Sequence, residues 1–232
     1  MKALVKRGVP PILQQNGETW TSEYVRGVAA GERPRGHWGH SEIRDELHQE
    51  TFGRCAYCEA RVGHVAHEHV EHIRPKAIFP ELAHEWMNLT AACPVCNTNK
   101  GPYYSETHPL LNPYVDDPER HIAFVGSLPW ACNGSEIGYR SIKKLGLDRM
   151  QLVSDRANRL LNVLNLFHAW QSAVGGTREA LRDALIADCE EGEYPTAVRS
   201  LLASVGFAVD ESRSHHSDEE SMPSEIPGSI RT

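Results

Sequence analysis

Cys55-Ala56-Tyr57-Cys58 and Cys93-Pro94-Val95-Cys96 are two C-x2-C pairs of identical spacing, separated by 34 residues. Thiolates two residues apart on a tight knuckle can both reach one Zn²⁺ at ~2.3 Å, and two such knuckles complete a four-sulfur site. The chain has no apolar run long enough to span a bilayer, and its opening MKALVKRGVPPILQQN lacks an apolar signal segment and a cleavage site. A cytoplasmic location with no membrane partner is expected. In that reducing compartment structural disulfides are a poor use for the four cysteines, and neither pair sits in a thioredoxin-like strand and helix. Cys132 and Cys189 have no partner spacing and read as ordinary thiols.

The composition around this site is that of an ordinary globular chain of one or two domains: 232 residues, 40% hydrophobic and 24% charged. Collagen-like, mucin-like and wholly disordered classes are excluded. The net charge of −7 provides no global field for a polyanion. Residues 1–150 hold 17 basic and 18 acidic side chains, whereas residues 151–232 hold 7 and 13, so the acidity belongs to the C-terminal third. A nucleic-acid site in the first part has to rely on local Arg and Lys, a metal ion and backbone amides.

Outward from the knuckles, Ser41 is placed to cap a helix running to about Thr51, with Ile43 and Leu47 on one face and Gly53 ending it. Residues 1–40 read mostly as loop, with a short helix near Ser22 to Ala30. Val62, Val65, Val70 and Ile73 alternate with polar residues, which predicts a hairpin over Arg61–Ile73 ending at Pro75. Asn97-Thr98-Asn99-Lys100 opens a short helix after the second knuckle, and Ile122 to Val125 forms one strand. Farther on, Asp148 with Gln151 resembles a capping box before a face of Leu152, Leu160, Leu161, Leu164 and Phe167. Thr177 caps a second helix, and Tyr194-Pro195-Thr196 starts a third through Leu202.

Four histidines, His64, His67, His69 and His72, crowd into nine residues between the knuckles. The first three read as solvated hairpin residues. His72 differs, because it stands in Val70-Glu71-His72-Ile73-Arg74-Pro75, where an acid and an imidazole are adjacent just before a strand-stopping proline. Phosphodiester hydrolysis needs a base for water and a divalent cation for the phosphate. Imidazole titrates near neutrality, and a carboxylate is the hard ligand Mg²⁺ prefers. Adjacent strand residues face opposite ways, so the pair can serve one phosphate only where the strand bends or ends.

Cys55-x2-Cys58, Val70-Glu71-His72-Ile73, Trp86-Met87-Asn88-Leu89 and Cys93-x2-Cys96-Asn97-x2-Lys100, in this order, resemble an HNH endonuclease of the zinc-stapled ββα-metal type. More narrowly, Glu71-His72-Ile73-Arg74-Pro75-Lys76 and Leu111-Asn112-Pro113-Tyr114-Val115-Asp116-Asp117-Pro118 resemble the HNH subunits of Septu-type anti-phage defence systems, including those attached to retrons.

The resemblance implies an α+β fold: a treble-clef-like ββα-metal core with a structural zinc held by four cysteines, flanked by N- and C-terminal helices. The expected organisation is loops and a bracing helix over residues 1–52, the nuclease core with its extension over 53–125, a helical region over 126–206, and a disordered acidic tail over 207–232. It implies structural Zn²⁺ on Cys55, Cys58, Cys93 and Cys96, His72 as general base, and Glu71 and Asn97 as ligands of catalytic Mg²⁺, with Mn²⁺ as substitute. Asn88 would orient the loop bearing His72, and Lys100 would contact phosphate beside the helix start. Asn97 stands where many relatives carry a histidine, and its amide oxygen suits Mg²⁺.

The implied partners are a nucleic-acid substrate, DNA ahead of RNA, an ATPase subunit and, where a retron is attached, its reverse transcriptase with its RNA and DNA. The helices from Asp148 to Leu202 and the acidic tail after Asp210 are the expected contacts to such a partner, with an internal core as the equal alternative for the helices. The chain itself has no G-x-x-x-x-G-K-[ST] phosphate loop. The competing reading is a non-catalytic zinc module that binds nucleic acid or protein. Zinc catalysis is disfavoured because four cysteines close the ion's coordination.

Overall fold

The computed structural model describes residues 1–62 and 69–208. At its centre, β1 (His69–His72) pairs antiparallel with β2 (Leu89–Ala92), with Glu71 opposite Thr90 and His72 opposite Leu89. β2 runs straight into Cys93, which caps helix α3 (Pro94–Lys100). The Cys93 Sγ accepts from the Cys96 N–H at 3.4 Å, and Pro94 occupies the first helical turn, where its missing N–H costs nothing. Gly101, at φ +52°, ends α3 in a conformation that suits glycine. The first knuckle is a tight loop closed by the Arg54–Arg61 bridge, and the Ala56 N–H donates to the Ala91 carbonyl at 2.9 Å, fastening it to β2.

Several local expectations need correction. Among the described residues the partner of β1 is Leu89–Ala92, a strand buried at every residue and therefore without the alternation that marks a half-exposed one. Residues 63–68, with His64 and His67, lie outside the described residues. α3 begins at Pro94 rather than at Asn97, so Lys100 sits at its C-terminal end. The first 40 residues contain the 19-residue helix α1 (Pro11–Ala29); Pro10-Pro11 initiates it, and Leu13, Trp20, Tyr24 and Gly27 form its inward stripe.

Helix α2 (Ser41–Glu50) is capped by His40, whose ring accepts from the Glu42 N–H, not by Ser41. Its Ile43 and Leu47 are buried with Leu13, Trp86, Leu89 and Ala91 in a core beneath β2. Trp86 is 3% exposed and donates to the Arg7 carbonyl, so it is a core residue.

On the other side, strand β3 (Ile122–Val125) is joined by β4 (Leu128–Ala131) in a hairpin, where one strand alone was expected. β4 carries Pro129, which strands tolerate at an edge. Helices α4 (Glu136–Leu145), α5 (Met150–Ser172), α6 (Gly175–Glu191) and α7 (Pro195–Ser204) follow. Asp148 binds Lys143 and does not cap α5, and Thr177 lies inside α6. Leu152, Leu160 and Phe167 of α5 turn inward and share one core with the cysteines, Leu185 and Leu202. The sequence from Asp210 onward falls outside the described residues. Among the described residues no helix is long and apolar enough to cross a membrane.

A buried polar cluster ties the N-terminal segment to this frame. Glu50, 4% exposed, accepts from Lys6 Nζ at 3.0 Å, from the Arg7 N–H at 3.0 Å and from the Tyr114 hydroxyl. Lys6 also donates to the Leu89 carbonyl at 2.6 Å and lies 3.9 Å over the Trp86 ring. Glu50→Ala strands the Lys6 charge and is expected to lower stability by ~3–5 kcal/mol, with Lys6→Met/Glu50→Leu restoring much of it. Urea denaturation of the two variants checks this.

The four cysteine sulfurs lie within 4.8 Å of one another, Cys58 and Cys93 at 3.8 Å, and all four residues are buried. A tetrahedron with ~2.3 Å arms has edges of ~3.8 Å, so the group fits one Zn²⁺. Arg149 reaches Cys96 Sγ at 3.7 Å and places a cation beside the thiolates. Binding energies of ~10–16 kcal/mol for such sites match the ~5–15 kcal/mol stability of a whole domain. Cys96→Ser should therefore lose zinc and unfold residues 55–101 together, read by metal analysis and hydrogen exchange; a zinc-free wild type that stays folded would contradict this.

Candidate active site

Strand geometry sends alternate side chains to opposite faces, and β1 uses both. His69 and Glu71 face α3, while Val70 and His72 face the N-terminal helices. On α3 the facing residues are Asn97 and Lys100, one turn apart. The Asn97 amide donates to His69 Nδ1 at 3.1 Å, and Lys100 Nζ lies 2.6 Å from Glu71 Oε1 while donating to the His72 carbonyl at 2.8 Å. These contacts form two rungs between strand and helix.

Glu71 is 5% exposed, and burial raises its pKa against the opposing pull of Lys100. Glu71 Oε1 therefore carries a close, buried ion pair with Lys100. The Asn97 Oδ1 has no hydrogen bond among the described residues. A carboxylate and an amide oxygen facing the same helix are ligand types that suit a hard divalent cation, which would have to displace Lys100 from Glu71. Lys100 is 3% exposed and turned inward, so it neutralises Glu71 rather than presenting its ammonium to solvent.

His72 occupies the opposite face, 3% exposed, with its ring 4.9 Å from Trp38 in an edge contact. Its Nε2 lies 2.9 Å from the Ala83 carbonyl. A carbonyl only accepts, so Nε2 carries the hydrogen and the lone pair of the neutral ring resides on Nδ1. Burial, followed by the charge of Lys76, brings its pKa down to about 3, which keeps the imidazole neutral throughout the physiological range. β1 ends at His72, and the chain bends immediately afterwards.

Asn88 holds that bend. Its Oδ1 accepts from the Arg74 N–H at 2.7 Å, its Nδ2 donates to the Arg74 and Leu82 carbonyls at 3.0 and 3.1 Å, and its own carbonyl accepts from the Ile73 N–H at 2.9 Å. Glu71 and Asn97 thus meet on one face, while His72 and Asn88 are joined through the loop between them.

Behind His72 stands an aromatic box that the sequence reading left unassigned. His84 accepts from the His37 N–H at 3.0 Å and faces Thr21 at 3.3 Å, with Trp20, Tyr24 and Trp38 around it. The run Gly36-His37-Trp38-Gly39-His40 was its one local signal. His69, read as a solvated residue, is exposed and shares the α3 face with Glu71 two residues on.

Residues 55–102 match the family described as HNH endonuclease. Over 182 residues the chain is 38% identical to the Septu protein PtuB of Bacillus thuringiensis, covering 71% of this chain and 70% of the relative. A Septu protein PtuB of Bacillus mycoides (strain KBAB4) is 34% identical over 147 residues, half of each chain. The family match covers both knuckles, β1, β2 and α3, and the longer similarity carries well beyond them. The chain belongs to the Septu PtuB family of HNH-domain proteins.

Proposed function

We propose that this chain is a metal-dependent endonuclease that hydrolyses phosphodiester bonds as the nuclease subunit of an anti-phage defence complex. The observation that carries this reading is His72: a neutral imidazole, fixed by its Nε2–H to the Ala83 carbonyl, with the ring's lone pair on Nδ1 at the point where β1 ends. A ring held in one tautomer meets the geometric demand on a general base. Residues serving only a zinc staple have no need of it.

In this reading His72 Nδ1 takes the proton of the attacking water as the water oxygen bonds to phosphorus, one phosphate ester bond breaks, and the leaving oxygen takes a proton from solvent water. Glu71 and Asn97 would hold Mg²⁺, with Mn²⁺ as substitute; when bound, the ion neutralises charge on the phosphate and the leaving oxygen. Lys100 balances Glu71 and, through the His72 carbonyl, ties the two faces of β1 together. Asn88 is a positioning residue that fixes the Ile73–Arg74 bend.

DNA is the favoured substrate, with RNA as the alternative. An ATPase partner is supported by the Septu resemblance and by charge: lysines and arginines supply most non-specific affinity for nucleic acid, and the chain's net charge is −7. Leu152, Leu160 and Phe167 of α5 are spent on the internal core, whereas Leu161 is 59% exposed.

His72→Ala should lower cleavage by ~10²–10⁴-fold while zinc content and substrate affinity persist. Glu71→Gln and Asn97→Ala should instead raise the Mg²⁺ concentration needed for half-maximal rate. Metal titrations of cleavage on DNA and RNA substrates separate the two behaviours; wild-type turnover by His72→Ala would overturn the assignment of His72 as general base.

A further inference from the structure

A cavity of ≈ 430 Å³ opens beside the candidate active site, and none of the roles assigned above uses it. Tyr57, Arg74, Lys100, Tyr103, Tyr104 and Glu106 line it together with apolar side chains. Lys100 is shared with the Glu71 rung, and Arg74 follows His72 by two residues, so the cavity adjoins the reacting centre.

Three features mark it as built for a ligand. Tyr57 is 2% exposed, and its hydroxyl has no hydrogen-bond partner among the described residues, a condition that buried native groups rarely tolerate. The exposed Arg74 side chain forms neither an ion pair nor a hydrogen bond there; its guanidinium lies 5.8 Å from the ring centres of both Phe79 and Tyr104. Phe79 and Tyr104 pack edge to face at 4.6 Å, and the Tyr104 hydroxyl donates to Glu106 at 3.3 Å, so the aromatic wall is held in place.

An uncompensated guanidinium, a fixed aromatic wall and an orphaned phenol are complementary to the three parts of a nucleotide: phosphate, base face and base edge. The volume lies within the ~300–1,000 Å³ of ordinary small-ligand sites. It has room for one nucleotide. Tyr103 also borders a second groove of ≈ 1170 Å³ in which Trp130 and Tyr139 are 68% and 59% exposed, and Lys144 lies 5.6 Å over the Tyr103 ring. Aromatic rings interleaved with lysines therefore continue from the cavity along the surface.

We propose that this cavity receives one unpaired nucleotide of the strand being cut, its base against Tyr104, its phosphate on Arg74 and its edge on the Tyr57 hydroxyl. The substrate is then single-stranded at the cut, or is opened there before cleavage. The inference rests on the nuclease reading for the identity of the strand, but the binding it describes does not depend on turnover.

The test uses the full chain carrying His72→Ala and measures fluorescence anisotropy with a short single-stranded DNA, the same sequence as RNA, and a blunt DNA duplex. Single strands should bind more tightly than duplex. Adding Tyr104→Ala should weaken single-strand binding by ~5–150-fold, the loss of one base–aromatic stack, and leave duplex binding and thermal melting unchanged. Tyr57→Phe should keep the fold and alter the ranking among homopolymer strands. The DNA and RNA arms show which backbone the cavity accepts. Unchanged single-strand affinity in Tyr104→Ala, or a preference for duplex, overturns the cavity proposal while leaving the nuclease reading intact. Tyr104-dependent binding in a wild-type protein that cleaves nothing sustains the cavity and overturns the nuclease reading.

Discussion

The four-sulfur cluster imposes the constraint on which the rest of the molecule depends, because Cys93 serves three structures at once. It follows the last residue of β2, caps α3 through its sulfur, and belongs to the metal-ready group with Cys55, Cys58 and Cys96. Holding that residue sets the angle between strand and helix. The angle in turn sets whether Asn97 meets His69 and Lys100 meets Glu71. A four-residue strand and a seven-residue helix are too short to hold this geometry by their own hydrogen bonds. The flanking helices add to the hold: Arg149 touches Cys96, and the Arg54 guanidinium of the first knuckle donates to the carbonyls of Glu190 and Gly192.

β1 divides the candidate chemistry between its two faces. The acid and amide share the α3 face, where a buried lysine balances the carboxylate; the imidazole lies in an apolar, aromatic setting that suppresses its charge. The separation lets Glu71 keep a charge-balancing partner while burial keeps the His72 ring neutral. The bend held by Asn88 follows directly after the two residues at the strand's end.

Much of this arrangement was legible from local spacing. The cysteine pairs, the Glu71-His72 step before Pro75 and the Ile43–Leu47 face of α2 are short-range patterns, and each has a direct counterpart in the fold. What was illegible depends on convergence across the chain or on an ambiguous local cue. Pro10-Pro11 reads equally as a loop and as a helix start, and the buried stripe of α1 decides it. β2 lacks alternation because both of its faces are covered, so the partner of β1 had no periodic signature. The inward turn of Lys100 follows from α3 starting at Pro94, three residues before Asn97. The Glu50 cluster joins residues 6, 50 and 114, and the box behind His72 joins residues 20–38 to His84; no window of sequence contains either.

The central claim is that Glu71 and Asn97 hold the catalytic cation while Lys100 occupies the carboxylate in its absence. Crystals soaked in Mn²⁺ and measured at the manganese absorption edge test it most directly. The account predicts an anomalous peak coordinated by a Glu71 oxygen and Asn97 Oδ1, with Lys100 Nζ drawn away from its 2.6 Å contact. An intact Glu71–Lys100 pair with no peak, at Mn²⁺ concentrations that support cleavage in solution, would contradict it.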